Sequence, residues 1–327
     1  MVSIGISGFG GYVPERVMTN AELEELFDTS DEWIVQRTGI HERRIAAPDQ
    51  STLDLATAAS LQALEHAGIG ADGLDEIIVA TDTPEVYTPD TAAFLQDRLG
   101  AGHIPAYDLG GSGCAGFVQA LDVARARATV EPKRILVVGV ELISRLLSWK
   151  DRGTDVLFGD GAGAVIVEPD GSRAELLGFV AGTDGSKSGI LTLGVGGTRR
   201  PFTAEVAATG DHQRLVMDGH EVFKSAVRRM SGAVQEVLVK IGCSIDDVAC
   251  LIPHQANDRI IVAVGNRLRI DPDRVYVNVD KYGNTGSASV PLALSEAVHG
   301  GVISEGDLVV LVAFGAGFHW SAAALRF

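Results

Sequence analysis

The chain has 327 residues, 46% hydrophobic and 21% charged, with a net charge of −16. That profile predicts a soluble globular protein of one large or two medium domains, and the acidity disfavours nucleic acid and anionic membranes as partners of the whole surface. No apolar run reaches the ~18 residues that span a membrane, and Met1-Val2-Ser3-Ile4-Gly5 shows no basic region followed by an apolar one, so no signal peptide is expected.

Strands and helices alternate along the chain. Glu76 to Ala80 reads as a buried strand and Asp90 to Leu99 as a helix stopped by Gly100. Ile104 to Leu109 is a strand, Ala115 to Ala128 a helix, Arg134 to Gly139 a strand, and Ala162 to Glu168 another, closed by Pro169-Asp170-Gly171. Gly219 to Lys240 is a long helix, Val248 to Pro253 a strand, Asn257 to Leu268 a helix and Ser287 to Val298 a helix. Leu308 to Phe314 and Trp320 to Arg326 complete the set. Near-continuous apolar strands between helices predict a mostly parallel sheet covered on both faces, one set in each half. The stretch 181–211 is rich in Gly, Thr and Asp and reads as irregular: a loop over a site, or a connector. Gly8-Phe9-Gly10-Gly11 and Gly159-Asp160-Gly161-Ala162-Gly163 fit neither GxGxxG nor the P-loop pattern, so tight turns and close backbone packing are expected there.

Cys114, Cys243 and Cys250 are the only cysteines. An odd number without paired spacing argues for reduced thiols in a cytosol. The chain has no CxxC or HExxH motif, so no metal site is expected.

Three local signals carry chemistry. Cys114 follows the strand and glycines of Asp108-Leu109-Gly110-Gly111-Ser112-Gly113, at the start of a helix. Free N–H groups and the helix dipole favour a thiolate there. The plain alternative is a small buried hydrophobe. His254 emerges where the strand Val248 to Pro253 ends, in Ile252-Pro253-His254-Gln255-Ala256-Asn257. Asn284 sits in the polar turn Lys281-Tyr282-Gly283-Asn284-Thr285-Gly286-Ser287 ahead of a helix. Taken singly, such a histidine is commonly structural and such an asparagine is ordinary turn chemistry. All three nevertheless share an address where α/β sheets gather ligands. Sulfur attack gives a thioester, and imidazole and amide N–H groups can steady an oxyanion or enolate. No water-activating carboxylate appears in these runs, which favours carbon–carbon or acyl transfer over hydrolysis.

The spans GCAGF at 113–117, IPHQAN at 252–257 and NVDKYGNT at 278–285 closely resemble the β-ketoacyl-[acyl-carrier-protein] synthase III family of the thiolase superfamily. So do DTSDEWIVQRTGI at 28–40, DRGT at 151–154, FGDGAG at 158–163, EVFK at 221–224 and FGAGF at 314–318. The likeness runs through essentially the whole chain. It implies an α/β, thiolase-like fold: two pseudo-equivalent halves, here 1–170 with the nucleophilic cysteine and 171–327 with the histidine and asparagine, in five αβαβα layers. It also implies a cytoplasmic homodimer that condenses an acyl-CoA primer with malonyl-acyl carrier protein, with loss of carbon dioxide and no metal or redox cofactor.

Residue by residue, the resemblance makes Cys114 the acylated nucleophile and His254 and Asn284 the decarboxylation pair. The backbone N–H groups of Cys114 and Ala316 would form the oxyanion hole, and Phe314 the gate that denies the carboxylate a polar environment. Trp33 and Arg152 would flank the coenzyme A adenine, with Thr29, Arg37 and Asn257 as further contacts. Trp33 and Arg37 are four apart, so both can face one side of a helix, and an indole with a guanidinium can stack on a purine. Lys224, Arg259 and Arg267 would receive the acidic carrier protein, although by themselves they read as solvated helix faces.

Two departures stand out. Thr88, in Tyr87-Thr88-Pro89-Asp90, aligns with a phenylalanine that in many members reaches across the dimer to cap the acyl pocket. The smaller side chain predicts primers longer than acetyl, unless Tyr87 or Phe94 refills the space. Gly110-Gly111-Ser112-Gly113 and Gly286-Ser287 also differ from the residues usual beside the nucleophile and the asparagine. Three other readings stay open: a related acyltransferase or priming enzyme of a polyketide pathway, a degradative thiolase, and a silent scaffold that only binds acyl carriers. The thiolase reading lacks its second cysteine motif, and intact Cys114, His254 and Asn284 argue against the scaffold.

Overall fold

The computed structural model describes residues 3–213 and 215–327. Its main sheet contains β1 (Ile4–Tyr12), β2 (Glu76–Ala80), β3 (Ala106–Leu109), β4 (Ile135–Leu142), β5 (Asp160–Pro169), β6 (Ala174–Thr183), β7 (Val248–Pro253), β8 (Leu308–Gly315) and β9 (His319–Arg326). Their spatial order is β7-β8-β9-β6-β1-β5-β4-β2-β3. Seven helices matter to the site: α1 (Asp31–Thr38), α2 (Thr52–Ala67), α3 (Thr91–Leu99), α4 (Gly116–Val130), α5 (Gly219–Ile241), α6 (Asp258–Leu268) and α7 (Ser289–His299).

The same order of elements occurs twice. The first half runs β1, α2, β2, α3, β3, α4, β4, β5, and the second runs β6, α5, β7, α6, α7, β8, β9. Where the second half has no named strand to match β3, Val275 makes a single parallel bridge to Leu251 on β7. The two sets meet through a short antiparallel contact between β1 and β6, Gly5 opposite Glu175 and Ile6 opposite Ala174.

Successive strand residues point to opposite faces, and here both faces are covered. In β4, Ile135 and Val137 belong to one core while Leu136 and Val138 belong to another. The first core lies between the two halves. Phe117 and Leu121 of α4 and Val290 and Leu294 of α7 pack there against strands from both sets. An outer core joins Leu55, Ala59 and Ala63 of α2 to Leu136, Val138 and Ile166. The opposite outer core joins Val234 and Val237 of α5 and Val264 of α6 to Val310, Val312 and Ala322. The result is helix, sheet, helix, sheet, helix: the expected five layers.

The expected mostly parallel sheet is corrected. Only β7 with β8, β2 with β4, and β2 with β3 pair parallel, at the two flanks; the middle is antiparallel. The cause is that β4 leads into an antiparallel neighbour, β5, and β8 into β9, with no crossover helix between them.

The glycine clusters are not turns either. Gly8, Gly10 and Gly11 lie inside β1, and Gly161 and Gly163 inside β5. They are close-packing positions, as the other part of that expectation held. A Cβ on Gly10 would stand 2.6 Å from the backbone N of Ala63 in α2, and one on Gly163 would stand 2.6 Å from that of Leu292 in α7. The stretch 181–211 also holds more order than expected: β6 runs to Thr183, Leu191–Leu193 pairs antiparallel with Leu215–Met217, and Ala204–Thr209 is helical.

Gly163→Ala should therefore cost about 1–3 kcal/mol through overpacking, whereas Gly185→Ala, with nothing within 4 Å of its Cβ position, should change the urea midpoint hardly at all. Equal midpoints for the two variants would contradict this packing account.

Candidate active site

Cys114 is positioned by two touching loops. β3 ends at Leu109, and a short 3-10 turn, Gly113–Ala115, leads into α4. Gly113 has φ 55°, a left-handed conformation that favours glycine. A Cβ there would come within 2.5 Å of the backbone N of Ala316, and a Cβ on Gly315 would run into the backbone N of Cys114. Glycine at both positions lets the two loops touch, with the backbone N of Ala316 against Gly113 and that of Cys114 against Gly315.

Asn284 is held by the next turn. Its Oδ1 accepts the backbone N–H of Gly286 at 2.9 Å and lies 4.0 Å from the Cys114 sulfur. Because Oδ1 takes an N–H, the amide NH2 remains a donor for the cavity. His254 follows β7, and its Nδ1 lies 2.5 Å from Ser289 Oγ. Ser289 Oγ accepts the backbone N–H of Gln255 at 3.3 Å, so its own hydrogen is free to go to Nδ1. With the hydroxyl donating to Nδ1, the imidazole proton sits on Nε2. Gln255, buried, also accepts the N–H groups of Asn278 and Val279 at 2.9 and 3.2 Å. It thereby ties the histidine loop to the segment that leads to Asn284.

Cys114, His254, Asn284, Phe314 and Ala316 line one cavity of about 740 Å³. The cavity extends from the half-buried sulfur to Trp33, Arg37, Asn257 and Arg259. Its walls are mainly apolar, and Leu191, Leu215 and Met217 contribute from the short strand pair, so this part of the chain covers the site rather than merely connecting. Phe314 packs on Phe318 with ring centres 4.8 Å apart.

The Arg37 guanidinium lies 4.8 Å and that of Arg152 5.1 Å from the Trp33 ring centre. A purine between indole and guanidinium needs about 7 Å, two contact distances of roughly 3.5 Å each. Arg152, exposed and bonded to the Asp28 carbonyl, has to swing aside before that slot can take a base. The hydroxyl of Thr29 is buried without a partner. Asn257 caps α6 by accepting the Arg259 N–H at 2.9 Å, while its NH2 donates to the Arg37 carbonyl at 3.1 Å. Lys224, Arg259 and Arg267 are exposed on α5 and α6, which pack together. Of these three only Arg259 reaches the cavity. Thr88 is exposed and is not among the cavity's lining residues within its own chain.

Models of the 3-oxoacyl-[acyl-carrier-protein] synthase III family match residues 107–185, and of that family's C-terminal part residues 238–327. The β-ketoacyl-[acyl-carrier-protein] synthase III of Caldanaerobacter subterraneus subsp. tengcongensis is 47% identical over 326 residues, 99% of this chain and 98% of that protein. The chain belongs to this synthase III family. A crystal structure of the Thermus thermophilus β-ketoacyl-[acyl-carrier-protein] synthase III is 47% identical, covers 99% of both chains and superposes with a TM-score of 0.89. The priming β-ketosynthase of the R1128 polyketide biosynthetic pathway is 36% identical, covering 100% of this chain and 96% of its own, with a TM-score of 0.91. The expected thiolase-like fold is thereby shown. Among the described residues, no group of three histidine, cysteine, aspartate or glutamate side chains could hold a metal ion, and no helix is long and apolar enough to cross a membrane.

The electrostatics of this synthase III site correct one expectation. The Cys114 thiol is pushed up, not down: burial is the main cause, and the charges of Glu141 and Asp82 add to it. The dipole of α4 does not offset them, and the resting sulfur is a thiol. Burial alone pushes His254 down to about 3, so the imidazole is neutral and donates one N–H. Glu141 and Asp82 line the same cavity and were not anticipated from the sequence. The available signal was a charged residue inside the apolar run Ile135–Leu142. Burial first, then the charge of Asp82, raises Glu141 to about 8, although it accepts from Thr83 Oγ1 at 2.6 Å, Ser287 Oγ at 2.9 Å and Asp82 N at 3.0 Å.

These shifts set a pH window for stability. His254 is lowered from 6.5, so its contribution is full above 6.5 and is lost as pH falls towards 3. Glu141 is raised from 4.5, so its contribution is full below 4.5 and is lost as pH rises through 8. The two slopes cancel between 4.5 and 6.5. Glu141→Gln should accordingly flatten the loss of stability between pH 6.5 and 8, read as urea midpoints against pH. Parallel curves for parent and variant would refute this assignment.

Proposed function

We propose that the protein condenses an acyl-CoA primer with malonyl-acyl carrier protein, releasing carbon dioxide and giving a 3-oxoacyl-acyl carrier protein that starts fatty-acid synthesis. The observation that carries this reading is one cavity in which Cys114, His254 and Asn284 meet and which opens at Trp33 and Arg37. Membership of the synthase III family supports it.

The reaction has two halves. Cys114 sulfur bonds to the acyl carbon, the thioester bond of the primer breaks, and the thiol proton leaves with coenzyme A. Free coenzyme A then departs and the malonyl thioester enters. Its carboxylate leaves as carbon dioxide, and the electron pair of the broken bond becomes an enolate. The Nε2–H of His254 and the amide NH2 of Asn284 donate to the enolate oxygen. Phe314 gives the carboxylate an apolar wall, which favours its loss as neutral gas. The enolate carbon then attacks the acyl-cysteine carbonyl, whose oxygen takes the N–H groups of Cys114 and Ala316. The cysteine thiolate departs and takes up one proton. Decarboxylation drives the bond formation, so this scheme requires no metal or redox cofactor.

The remaining roles follow in the same reading. Trp33 and Arg152 hold the adenine once Arg152 has moved, while Arg37, Thr29 and Asn257 contact the rest of coenzyme A. Lys224, Arg259 and Arg267 receive the acidic carrier protein. The enzyme works in the cytoplasm as a homodimer, and Thr88 acts on the acyl pocket of the partner subunit. The chain divides into the halves 1–170 and 171–327, which follows the recurrence of strand and helix order. A second reading, priming of a polyketide, is favoured by the likeness to the R1128 priming ketosynthase.

Intact-mass measurement after incubation with acetyl-, octanoyl- and lauroyl-CoA should show one acyl adduct, and none in Cys114→Ala. The longer chains should be accepted as well as acetyl; strict acetyl preference would remove the role given to Thr88. His254→Ala and Asn284→Ala should still acylate but lose carbon dioxide release from malonyl-acyl carrier protein by at least about 100-fold. An unacylated Cys114 across the panel would end the proposal. Acylation without carbon dioxide release in the parent would point to plain acyl transfer.

A further inference from the structure

Two acidic side chains in the cavity have no part in that mechanism. Asp82 follows β2, and Glu141 lies near the end of β4. The Asp82 backbone N–H donates to Glu141 Oε1 at 3.0 Å. The Asp82 carboxylate reaches the other way. Its Oδ1 accepts the backbone N–H of Gly111 at 2.6 Å, and the N–H of Gly113 also donates to it. Gly111 and Gly113 have φ 78° and 55°, so this tight turn favours glycine.

Glu141 is equally well provided for. Ser287 Oγ donates to it at 2.9 Å, and Gly286 leaves it room: a Cβ on Gly286 would stand 2.6 Å from Glu141 Cγ. The two glycine-bearing runs singled out in the sequence, 110–113 and 286–287, therefore both build around this one acidic pair. The same Gly286 gives its N–H to Asn284, so the pair touches the turns of both the nucleophile and its polar neighbour.

We propose that Asp82 and Glu141 are positioning residues for Cys114: Asp82 clamps the nucleophile turn through Gly111 and Gly113, Glu141 anchors Asp82, and the negative charge they bring to the cavity keeps the thiol protonated between turnovers. This deepens the reading of Cys114 as the acyl carrier and rests on it. Glu141 is buried, and burial together with the charge of Asp82 raises its carboxyl, whereas Asp82 is exposed and its carboxylate is held by the Gly111 N–H. The other titratable groups facing this region are His254 at the end of β7 and His319 at the start of β9, beside Asp82. Arg37, His220 and Arg259 lie further along the cavity. His254 is neutral through the working range, which leaves the acidic pair as the charge that governs the sulfur.

The test uses iodoacetamide, so it does not depend on any acyl-CoA being a substrate. Alkylation of Cys114 is followed by peptide mass from pH 6 to 10, which separates it from Cys243 and Cys250. Asp82→Asn keeps an oxygen for the two N–H groups and removes the charge. Its alkylation profile should move about one pH unit to lower pH, making Cys114 about tenfold more reactive at pH 7. Glu141→Gln should move it in the same direction. Profiles that superimpose on the parent, in variants that unfold at the parent temperature, would overturn the proposal. Infrared titration of the unaltered protein needs no variant. A carboxylic acid band from Glu141, present at pH 7 and lost towards pH 9, is expected, and its absence would equally overturn the proposal.

Discussion

The contact on which this molecule depends is the one between two backbone loops, 113–114 and 315–316. Each loop offers a glycine to the backbone N of the other, at Gly113 against Ala316 and Gly315 against Cys114. The two loops belong to different halves of the chain, so the five-layer packing has to bring the halves together to this tolerance. The rigid part of that alignment is the central layer. α4 and α7 lie between the two sets of strands, with Phe117, Leu121, Val290 and Leu294 fully or almost fully buried among them. The 3-10 turns that precede these helices, Gly113–Ala115 and Gly286–Ala288, pack on one another. The site sits where the core is least able to deform.

That placement also buries His254, Asn284 and Glu141, and burial has a price in protonation states. Three ionisable groups there are driven towards their neutral forms: the imidazole of His254 downward, the carboxyl of Glu141 and the thiol of Cys114 upward. A neutral imidazole with its proton on Nε2 is a donor, not a strong base. It suits a site that must steady an enolate oxygen without protonating its carbon. The same neutrality means that acylation cannot rely on a standing thiolate. In the proposed reaction the nucleophile therefore loses its proton as it meets the acyl carbon.

Much of the architecture was legible in the residues. The strands Glu76–Ala80 and Val248–Pro253 match their expected bounds, because an apolar run flanked by polar turns leaves few alternatives. β1 was not found, since its glycines imitate a turn. Those glycines are there so that α2 and α7 can close on the strand, a fact about neighbours rather than local propensity. Strand direction was misjudged for a related reason: apolar runs show that both faces are covered, not which way the neighbour runs. At the site, Cys114, His254 and Asn284 were recognisable from their motifs, and they do share a cavity. Asp82 and Glu141 were not, because an acidic residue beside a strand is ordinary until its neighbours are known. The rise in the Cys114 pKa was invisible for the same reason, since the helix dipole can be read from sequence and desolvation cannot.

The repeated order of elements explains why those particular residues meet. Cys114 precedes α4 and Asn284 precedes α7, the matching helices of the two halves, and the sulfur and the amide oxygen come within 4.0 Å. His254 follows β7, and Asp82 follows β2, its counterpart. Phe314 is the seventh residue of β8 and Glu141 the seventh of β4, again matching strands. All six line the same cavity. Phe314 and Glu141 stand at equivalent positions, phenyl against carboxylate, while Cys114 and Asn284, and His254 and Asp82, come from matching turns at different positions within them. In the proposed reaction the second half supplies the donors and the apolar wall that an enolate and a departing carboxylate need, and the first half supplies the nucleophile together with the acids proposed to hold it in place. A fold built from two similar halves can divide the labour of a two-step reaction in this way, because each half brings the same three elements to the junction: the end of one strand, the turn before a helix and a neighbouring strand.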